Sequence, residues 1–262
     1  MKILFIGDIV GKPGRRIIRE ILPEIISEDG IDCVIANCEN AAAGFGVTRE
    51  VAEDLFNSQI DVLTSGNHIW DKKEIRDFIE DFKTLIRPAN YPSGTPGWGS
   101  VVVATRTGGN YVGVINLVGR IFMQPLDCPF RTAEKEIEKI KKRTPVVLVD
   151  FHAEATSEKK TMGWFLDGRV SAVIGTHTHV QTADEDILPL GTAYISDVGM
   201  TGPFDSVIGI KKEEILERFL TQIPNKFDVA RGDLRLQGVI LDIDEISGRS
   251  RRVERRTWRL AG

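Results

Sequence analysis

The sequence predicts an α/β fold in which helices cover a mainly parallel β-sheet. Apolar runs rich in β-branched residues occur at residues 2–7, 33–37, 61–65, 145–151 and 170–175. Their near-continuous hydrophobicity is typical of strands that are covered on both faces. Segments with helical periodicity separate these runs, and such an alternation of strands and helices predicts parallel strands packed in layers with helices.

The helical segments carry apolar residues at the spacing of one helix face. In residues 13–28 the apolar positions follow an i, i+3/i+4 pattern: Ile17, Ile18, Ile21, Leu22, Ile25 and Ile26. Thr48 is the predicted N-cap of a helix that runs to Asn57. Two further helices are predicted at residues 72–81 and 132–142.

Two antiparallel pairs interrupt this alternation. Residues 100–105 and 111–118 flank Gly108-Gly109, and this arrangement predicts a hairpin. A second pair is predicted at residues 234–244 and 249–260. No internal repeat or flexible linker divides the chain. We therefore predict a single domain over residues 1–262, with a small excursion around residues 119–131 that forms a cap or an oligomer contact.

Composition excludes several classes of protein. Of the 262 residues, 42% are hydrophobic and 27% are charged, and the net charge of −4 argues against a general nucleic-acid binder. The N-terminal apolar run is too short for a signal peptide, and no stretch approaches the roughly 18 apolar residues of a membrane span. Cys33, Cys38 and Cys128 lack metal-site spacing, which indicates reduced thiols. We expect a cytoplasmic enzyme.

Polar side chains with ligand chemistry follow the predicted strands at their carboxyl ends. These residues are Asp8, Glu39, Asn40, Asn67, His68, His152, His177 and His179, and they include all 4 histidines of the chain. Taken singly, each could be a helix cap, a turn residue or a hydrogen-bonded structural residue. Because the carboxyl ends of parallel strands meet at one edge of a sheet, together they predict a metal site.

The ligand types narrow the chemistry of this site. Imidazole, carboxylate and carboxamide groups without suitably spaced thiols suit Mn, Fe or Zn. The candidate groups are too many for one ion with open positions. They are enough for two ions about 3.5–4 Å apart with a carboxylate between them, and such a pair can clamp a phosphoryl group. The residues themselves therefore predict hydrolysis of a phosphoric ester.

Five segments carry a family resemblance: "GDIVG", "NCENAAAGFG", "GNHIWD", "FHAEATSEK" and "GTHTHVQTADE". They resemble the motifs of the calcineurin-like metallophosphoesterases, and more narrowly those of the YmdB-like branch, bacterial cyclic-nucleotide phosphodiesterases. The wider superfamily usually begins with Asp-x-His, and here the histidine is replaced by Val10. Glu39-Asn40 replaces the usual bridging Asp motif, and both departures fit the YmdB-like branch. The resemblance implies a layered fold of central sheets flanked by helices.

The resemblance also implies a role for each candidate residue. One metal would be held by Asp8, Glu39, Asn40 and His179. The other would be held by Asn67, His152 and His177, with Glu39 bridging both ions. His68 would stand outside the coordination set as electrostatic stabiliser and general acid for the leaving oxygen. The alternative is a structural role, in which His68 only supports a neighbouring metal ligand.

These roles imply a dinuclear phosphodiesterase that acts on 2′,3′- or 3′,5′-cyclic AMP and similar small cyclic nucleotides. A metal-bridging hydroxide would attack phosphorus. The implied cofactors are two metal ions per chain, Fe or Mn, with Zn as a further option. We expect a homo-oligomer with a small phosphodiester substrate and no membrane partner. The alternatives are a phosphomonoesterase or nucleotidase, and a metal-stabilised regulatory or RNA-associated scaffold.

Three weaker signals remain open between a functional and a structural interpretation. "AAAGFG" is a substrate-side loop or a tightly packed turn. Cys38 lies in an apolar run, which favours a core thiol over a nucleophile. A C-terminal cluster of arginines favours a solvated strand face over an RNA-binding stripe: Arg249, Arg251, Arg252, Arg255, Arg256 and Arg259.

Overall fold

The computed structural model describes residues 1–260, in which two β-sheets carry helices on their outer faces. The strands are β1 Lys2–Ile6, β2 Asp8–Ile9, β3 Cys33–Asn37, β4 Val62–Thr64, β5 Ser100–Ala104, β6 Tyr111–Val118, β7 Val147–His152, β8 Ala172–Thr176, β9 Asp186–Ile187, β10 Ala193–Ile195, β11 Met200–Pro203, β12 Leu234–Ile243 and β13 Ser250–Arg259. The helices are α1 Gly11–Asp29, α2 Arg49–Asn57, α3 Ile75–Phe78, α4 Pro129–Ile140, α5 Thr156–Leu166 and α6 Lys212–Thr221. Residues 261–262, the end of the predicted domain, lie outside the described part.

Both sheets are mixed: parallel strands form one side of the first sheet and the centre of the second. The first sheet has the order β2-β11-β12-β1-β3-β4, with β13 paired to β12. In it β1, β3 and β4 are parallel, whereas β12 runs antiparallel to β1. The second sheet has the order β5-β6-β7-β8-β10-β9, and its four inner strands are parallel. Both predicted antiparallel pairs are present, as β5–β6 and β12–β13.

The two sheets pack against each other through one buried apolar cluster. Phe5 and Ile35 of the first sheet belong to it together with Leu148 and Ile174 of the second. The outer face of the first sheet packs on α1 and α2, and that of the second packs on α4 and α5. The central strands are therefore covered on both faces, which explains their continuous hydrophobicity. The predicted layered α/β fold of central sheets flanked by helices is confirmed.

The structure differs from the sequence prediction in its helices and in four short strands that were not predicted, β2, β9, β10 and β11. The helix predicted at residues 72–81 is only one turn, α3, followed by a 3₁₀ turn at Ile79–Asp81. Its apolar side chains are buried, but the chain then turns so that Leu85 forms a β-bridge with Leu63 of β4. Helices α5 and α6 were not predicted. Helix α5 buries two charged residues, Glu158 and Lys159, so its buried face is not a continuous apolar stripe in the sequence. Helix α6 has apolar residues at helical spacing, Leu216, Phe219 and Leu220, but it leaves them exposed.

The predicted excursion leaves the carboxyl end of β6. The backbone N–H of Gly119 donates to the carbonyl of His152, 2.9 Å away. Buried Glu158 accepts hydrogen bonds from the backbone N–H groups of Arg120 and Ile121 at 3.1 and 3.2 Å. The segment is thereby held beside β7, and its role as a cap or an oligomer contact stays a prediction. None of the helices in residues 1–260 combines the length and the hydrophobicity that a membrane span requires.

Candidate metal centre

The predicted site residues lie at the carboxyl edge shared by the two sheets. Glu39 follows β3 in the first sheet and His152 ends β7 in the second, yet Glu39 Oε1 lies 2.9 Å from His152 Nε2. Asp8 stands in β2, directly after β1. Asn67 and His68 follow β4, and His177 and His179 follow β8. The sheet-on-sheet packing therefore brings the strand ends to one place.

The first set of side chains, here called the His152 group, consists of Glu39, Asn67, His152 and His177. Nε2 of His152 lies 3.1 Å from Asn67 Oδ1 and 3.0 Å from His177 Nδ1, in addition to its contact with Glu39. Glu39, His152 and His177 offer ligand atoms that all lie within 4.8 Å of one another. Nε2 of His152 carries at most one proton, so it cannot donate a full hydrogen bond to each of these three neighbouring atoms. A cation among these atoms could satisfy them together.

The second set, here called the Asp8 group, consists of Asp8, Asn40 and His179. His179 Nε2 lies 3.3 Å from Asn40 Oδ1, while Asn40 Nδ2 donates to the Gly44 carbonyl at 3.0 Å. Asp8 is fully buried, and its Oδ1 has no hydrogen-bond partner among residues 1–260. Burying a carboxylate oxygen without a partner is costly. The orphaned oxygen and the donor types fit a metal ion at this position.

The two groups adjoin each other. The backbone N–H of His177 donates to Asp8 Oδ2 at 3.2 Å, so a member of the His152 group contacts the Asp8 group directly. Gly66 leaves room for this arrangement: a Cβ there would lie 2.3 Å from Glu39 Oε2 and from His152 Cδ2. The glycine of "GNH" is therefore required by close approach of the backbone to the site.

Hydrogen bonds on the far side of each ring orient the imidazoles. His152 Nδ1 donates to Thr176 Oγ1 at 2.9 Å, and the Thr176 hydroxyl donates to Asp150 Oδ1 at 2.7 Å. His179 Nδ1 donates to the Ile208 carbonyl at 2.8 Å. Both rings therefore present Nε2 to the site. Metal-binding histidines usually show this pattern, because the outer partner sets the tautomer.

His177 is turned the other way round. Its Nε2 lies 3.1 Å from Glu154 Oε2, so Nδ1 faces the site. Burial, together with the neighbouring His152, lowers the pKa of His177 to about 3, so the ring is neutral, the form in which an imidazole can bind a metal. His177 and His179 have φ values of 109° and 63°, a region that few residues other than glycine adopt. The strained turn lets residues two apart reach different groups.

The loop that carries these two histidines is held from behind by a buried ion pair. Lys159 Nζ lies 2.8 Å from Asp197 Oδ2, and both side chains are almost fully buried. The same carboxylate oxygen accepts the backbone N–H of Thr178 at 2.9 Å. Thr178 stands between the two histidines, so the pair fixes the backbone from which both rings project.

Electrostatics in the site favour a bound cation. Burial would raise the pKa of Glu39, but the imidazole of His152 holds it well below its usual range. Burial would lower the pKa of His152, but Glu39 raises it. Burial raises the pKa of Asp8, against the effect of His179 and His152. The two buried carboxylates thus require positive charge beside them, and a metal ion supplies it without a proton.

His68 stands at the rim rather than inside either group. Its Nδ1 donates to Asp71 Oδ2 at 2.8 Å, and its backbone N–H donates to Glu39 Oε2 at 3.1 Å. The side chain is 30% exposed and packs edge-on against Phe45. This position agrees with a group that reaches substrate instead of metal. Burial raises the pKa of the Cys38 thiol, which agrees with a core thiol and not a nucleophile.

Sequence reasoning missed the residues that orient the candidate ligand side chains. Asp71 and Glu154 were inside the quoted motifs but received no role. Asp150 and Thr176 lie within apolar strands, and Asp150 is fully buried. Burial raises the pKa of Asp150 to about 7. A polar residue inside a buried strand was the available signal, because such a residue needs a partner.

The sequence model of the family described as "YmdB-like protein" matches residues 4–256. The chain belongs to this family. It is 52% identical over 255 residues to the 2′,3′-cyclic-nucleotide 2′-phosphodiesterase of Bacillus subtilis (strain 168), an alignment that covers 97% of this chain and 96% of the relative. The predicted resemblance to the YmdB-like branch is confirmed.

Solved structures give the same fold. A hypothetical protein from Thermus thermophilus is 44% identical with a TM-score of 0.92, covering 99% of both chains. A novel phosphatase from Mycoplasma pneumoniae is 34% identical with a TM-score of 0.91, covering 99% of this chain and 93% of the other. The 5′-nucleotidase of Candida albicans shares the fold at 13% identity and a TM-score of 0.55, covering 98% of this chain and 50% of the other.

Proposed function

We propose that this YmdB-like chain is a dinuclear metal-dependent enzyme that hydrolyses 2′,3′-cyclic nucleotides, with 3′,5′-cyclic nucleotides as a second substrate class. The chain is a phosphodiesterase, a phosphoric ester hydrolase. The observation that carries the dinuclear proposal is the pair of adjoining ligand groups around two buried carboxylates, Asp8 and Glu39. The 2′,3′-cyclic substrate is supported by the name of the Bacillus subtilis relative.

The proposed ligand sets follow the two groups. The Asp8 group with Glu39 would hold one ion, and the His152 group would hold the other, with Glu39 as the bridge. The oxygen and imidazole donors favour Mn or Fe, with Zn as a further option. Such ions, when bound, would lower the pKa of water and neutralise charge on the phosphoryl oxygens.

His68 has the geometry of a proton donor. Asp71 holds Nδ1–H, so Nε2 is the nitrogen that can carry a second proton towards substrate. In hydrolysis of a 2′,3′-cyclic phosphate, the oxygen of a water bonds to phosphorus, one proton of that water passes to solvent, and the bond from phosphorus to O2′ breaks. O2′ takes the proton from His68, and the product is a 3′-phosphate. Asp71 acts as a positioning residue, since its carboxylate fixes the orientation of the His68 ring.

Substrate choice tests this function. The chain, loaded with Mn²⁺ or anaerobically with Fe²⁺, is assayed on 2′,3′-cyclic AMP, 3′,5′-cyclic AMP, 3′-AMP and 5′-AMP. We expect 3′-AMP to accumulate from the 2′,3′-cyclic substrate without further hydrolysis. Faster turnover of the two monoesters would assign a phosphomonoesterase or nucleotidase. Absence of turnover in metal-loaded, folded protein would assign the scaffold.

We also propose a cytoplasmic homo-oligomer. Cys33, Cys38 and Cys128 are free thiols, which suits a reducing compartment. Helix α6 supports self-association, because it exposes Leu216, Phe219 and Leu220 at 58%, 74% and 84%. Light scattering should show a mass above the 29.1 kDa of one chain.

A further inference from the structure

A groove of about 610 Å³ opens at the start of α1. We call it the basic groove, and the residues that matter here are Lys12, Arg16, Lys211, Lys226, Phe227 and Arg231. Its walls come from the first turn of α1, from Ala43 and from residues 226–231. None of these cations has a role in the ligand groups described above.

The basic groove concentrates positive charge on a chain whose net charge is −4. Five basic side chains line it, against one carboxylate, Asp228. That carboxylate lies 3.0 Å from Lys211, and Arg16 pairs with Glu20 outside the groove. Lys12 and Arg231 form no ion pair with any residue in the range 1–260. Two free cations facing one groove indicate an anionic ligand.

The arginines of the C-terminal cluster differ from the free cations of the basic groove, because most of them form ion pairs. Arg251 pairs with Asp244, Arg255 pairs with Glu185, and Glu254 pairs with two further arginines, Arg252 and Arg256. Most of that cluster is therefore neutralised by acids on or beside β13. The cations of the basic groove that lack such partners are the better candidates for binding an anion.

The start of α1 adds independent support. Its first turn contains no acidic residue, and Lys12 and Arg16 lie in its first two turns. A helix carries partial positive charge at its N-terminus, so cations there are electrostatically unfavourable unless an anion compensates them. This helix has 19 residues and an N-cap, Val10, whose side chain forms no capping hydrogen bond.

The basic groove is continuous with the candidate metal centre. Ala43 lines the groove and lies in the same loop as Asn40 of the Asp8 group. The backbone N–H of Gly11, next to Lys12, donates to the Asn40 carbonyl at 2.9 Å. Val229 of the opposite wall would lie 3.1 Å from a Cβ on Gly11 and 3.2 Å from one on Gly44. Loop 40–44 is thus a common wall of the groove and the metal centre.

We propose that the basic groove binds the phosphodiester backbone of a single-stranded RNA whose 3′ end carries the 2′,3′-cyclic phosphate cleaved at the metal centre. This inference rests on the function proposed above. The cations would contact the phosphates that precede the terminal nucleotide, and Phe227 offers an aromatic ring at which a base can stack. Ribose is required because a 2′,3′-cyclic phosphate needs the 2′ oxygen. The substrate class is therefore an oligoribonucleotide end as well as a mononucleotide.

The test compares kcat/KM for 2′,3′-cyclic AMP with kcat/KM for a tetra-adenylate that ends in a 2′,3′-cyclic phosphate. We expect the wild-type chain to prefer the tetranucleotide, and the preference to weaken with salt. In Lys12→Gln/Arg231→Gln, the ratio of the two kcat/KM values should fall roughly 25-fold at 0.1 M salt, since each contact to single-stranded nucleic acid contributes a salt slope of about 0.7.

The matched control removes two charges elsewhere. Lys141 and Lys142 are exposed and follow α4 just before β7 begins, which places them at the opposite edge of the sheet from the site. Lys141→Gln/Lys142→Gln should leave the ratio unchanged. Thermal unfolding of both double variants checks that they are folded.

Each other outcome overturns the inference in a distinguishable way. Equal kcat/KM for both wild-type substrates, with no salt dependence, removes the groove from catalysis and leaves the proposed function intact. An equal fall in the control variant assigns the effect to overall charge. An equal gain for adenosine 2′,3′-cyclic phosphate that carries a 5′-phosphate assigns the groove to one terminal phosphate. Hydrolysis of neither substrate contradicts the proposed function itself.

Discussion

At the scale of single residues, Glu39 is a buried carboxylate that links His152 to the backbone of His68. It is 1% exposed, its Oε1 contacts His152 and its Oε2 accepts the backbone N–H of His68. Because the pKa of this carboxyl is held low, Glu39 carries a full negative charge at neutral pH. No other side chain of the site contacts both the His152 group and the backbone of the proposed acid.

The first prediction follows from this charge. Glu39→Gln keeps the shape but removes the charge that two ions would share, so we expect loss of at least one metal and nearly all activity with the fold retained. Metal content and turnover of 2′,3′-cyclic AMP are the measurements. Glu138→Gln, an exposed change on α4, is the matched control. Two metals and near-normal turnover in Glu39→Gln would overturn the bridging assignment.

His68 permits a prediction about its role. Its ring lies outside both ligand groups, so His68→Ala should keep both metals. Loss of a positioned acid costs about 10²–10⁴-fold when the leaving group needs a proton. We expect that loss with a cyclic nucleotide and a much smaller one with bis-p-nitrophenyl phosphate, because nitrophenolate leaves unprotonated. Equal losses on both substrates would make His68 an electrostatic clamp, and lost metal would make it a ligand or a support.

Asp71 supplies the companion variant. It touches the far nitrogen of His68 and no ligand group. Asp71→Asn should therefore repeat the leaving-group contrast of His68→Ala at a smaller size, on the order of tenfold, the lower end for partners that orient a reactive group. Loss of the contrast, with both substrates affected alike, would show that Asp71 acts on the fold of the turn instead.

At the scale of elements, Lys12 in the first turn of α1 lines the basic groove but destabilises the helix that carries it. A cation in the first turn of a helix opposes its macrodipole. Lys12→Gln should therefore raise the free energy of unfolding by about 0.3–1 kcal/mol, which corresponds to about 1–3 °C in Tm for a chain of this size. Thermal unfolding at low salt measures it.

The control for this prediction lies at the other end of a helix. Lys141 is the C-cap residue of α4, where a cation is favourable. Lys141→Gln should lower Tm by a similar amount or leave it unchanged. A fall in Tm for Lys12→Gln would mean that Lys12 stabilises the fold and is not held there for a ligand.

At the scale of the whole molecule, the candidate metal centre lies on a fold that has its own apolar core. Three buried apolar clusters lie between the sheets and under the helices, and none depends on the ligand side chains. Chelation should therefore leave the far-UV circular dichroism unchanged at 25 °C. Ions that bind only the folded chain should then raise Tm on titration, since ligand at 100 times its Kd stabilises by about 2.7 kcal/mol.

Metal-dependent folding would contradict this expectation. A chain that loses its secondary structure on chelation, and regains it with Mn²⁺, would have metal-dependent folding like a small zinc domain. The buried ion pair of Lys159 and Asp197 offers a control, because it supports the histidine loop without contacting a ligand side chain. Lys159→Met should lower Tm both with and without metal.

The sequence by itself determined the strand ends and the chemistry they carry. An apolar run stops at each of Asp8, Glu39, His152 and His177. A strand buried on both faces has a continuously apolar sequence, so its position can be read from the sequence alone. Since parallel strands end at one edge, their convergence could be predicted without coordinates. The assignment of each residue to a metal came from the family resemblance and stays a prediction.

Only the tertiary structure decided which elements meet. Periodicity reports that a face is buried but not against what, so it could not divide the strands into two sheets or place Glu39 2.9 Å from His152. Helix α5 escaped prediction because it buries charged groups that are satisfied by distant partners, such as Lys159 by Asp197. The basic groove needed Lys12 and Arg231 brought together across most of the chain. Such contacts arise from packing of the whole molecule, and no local pattern encodes them.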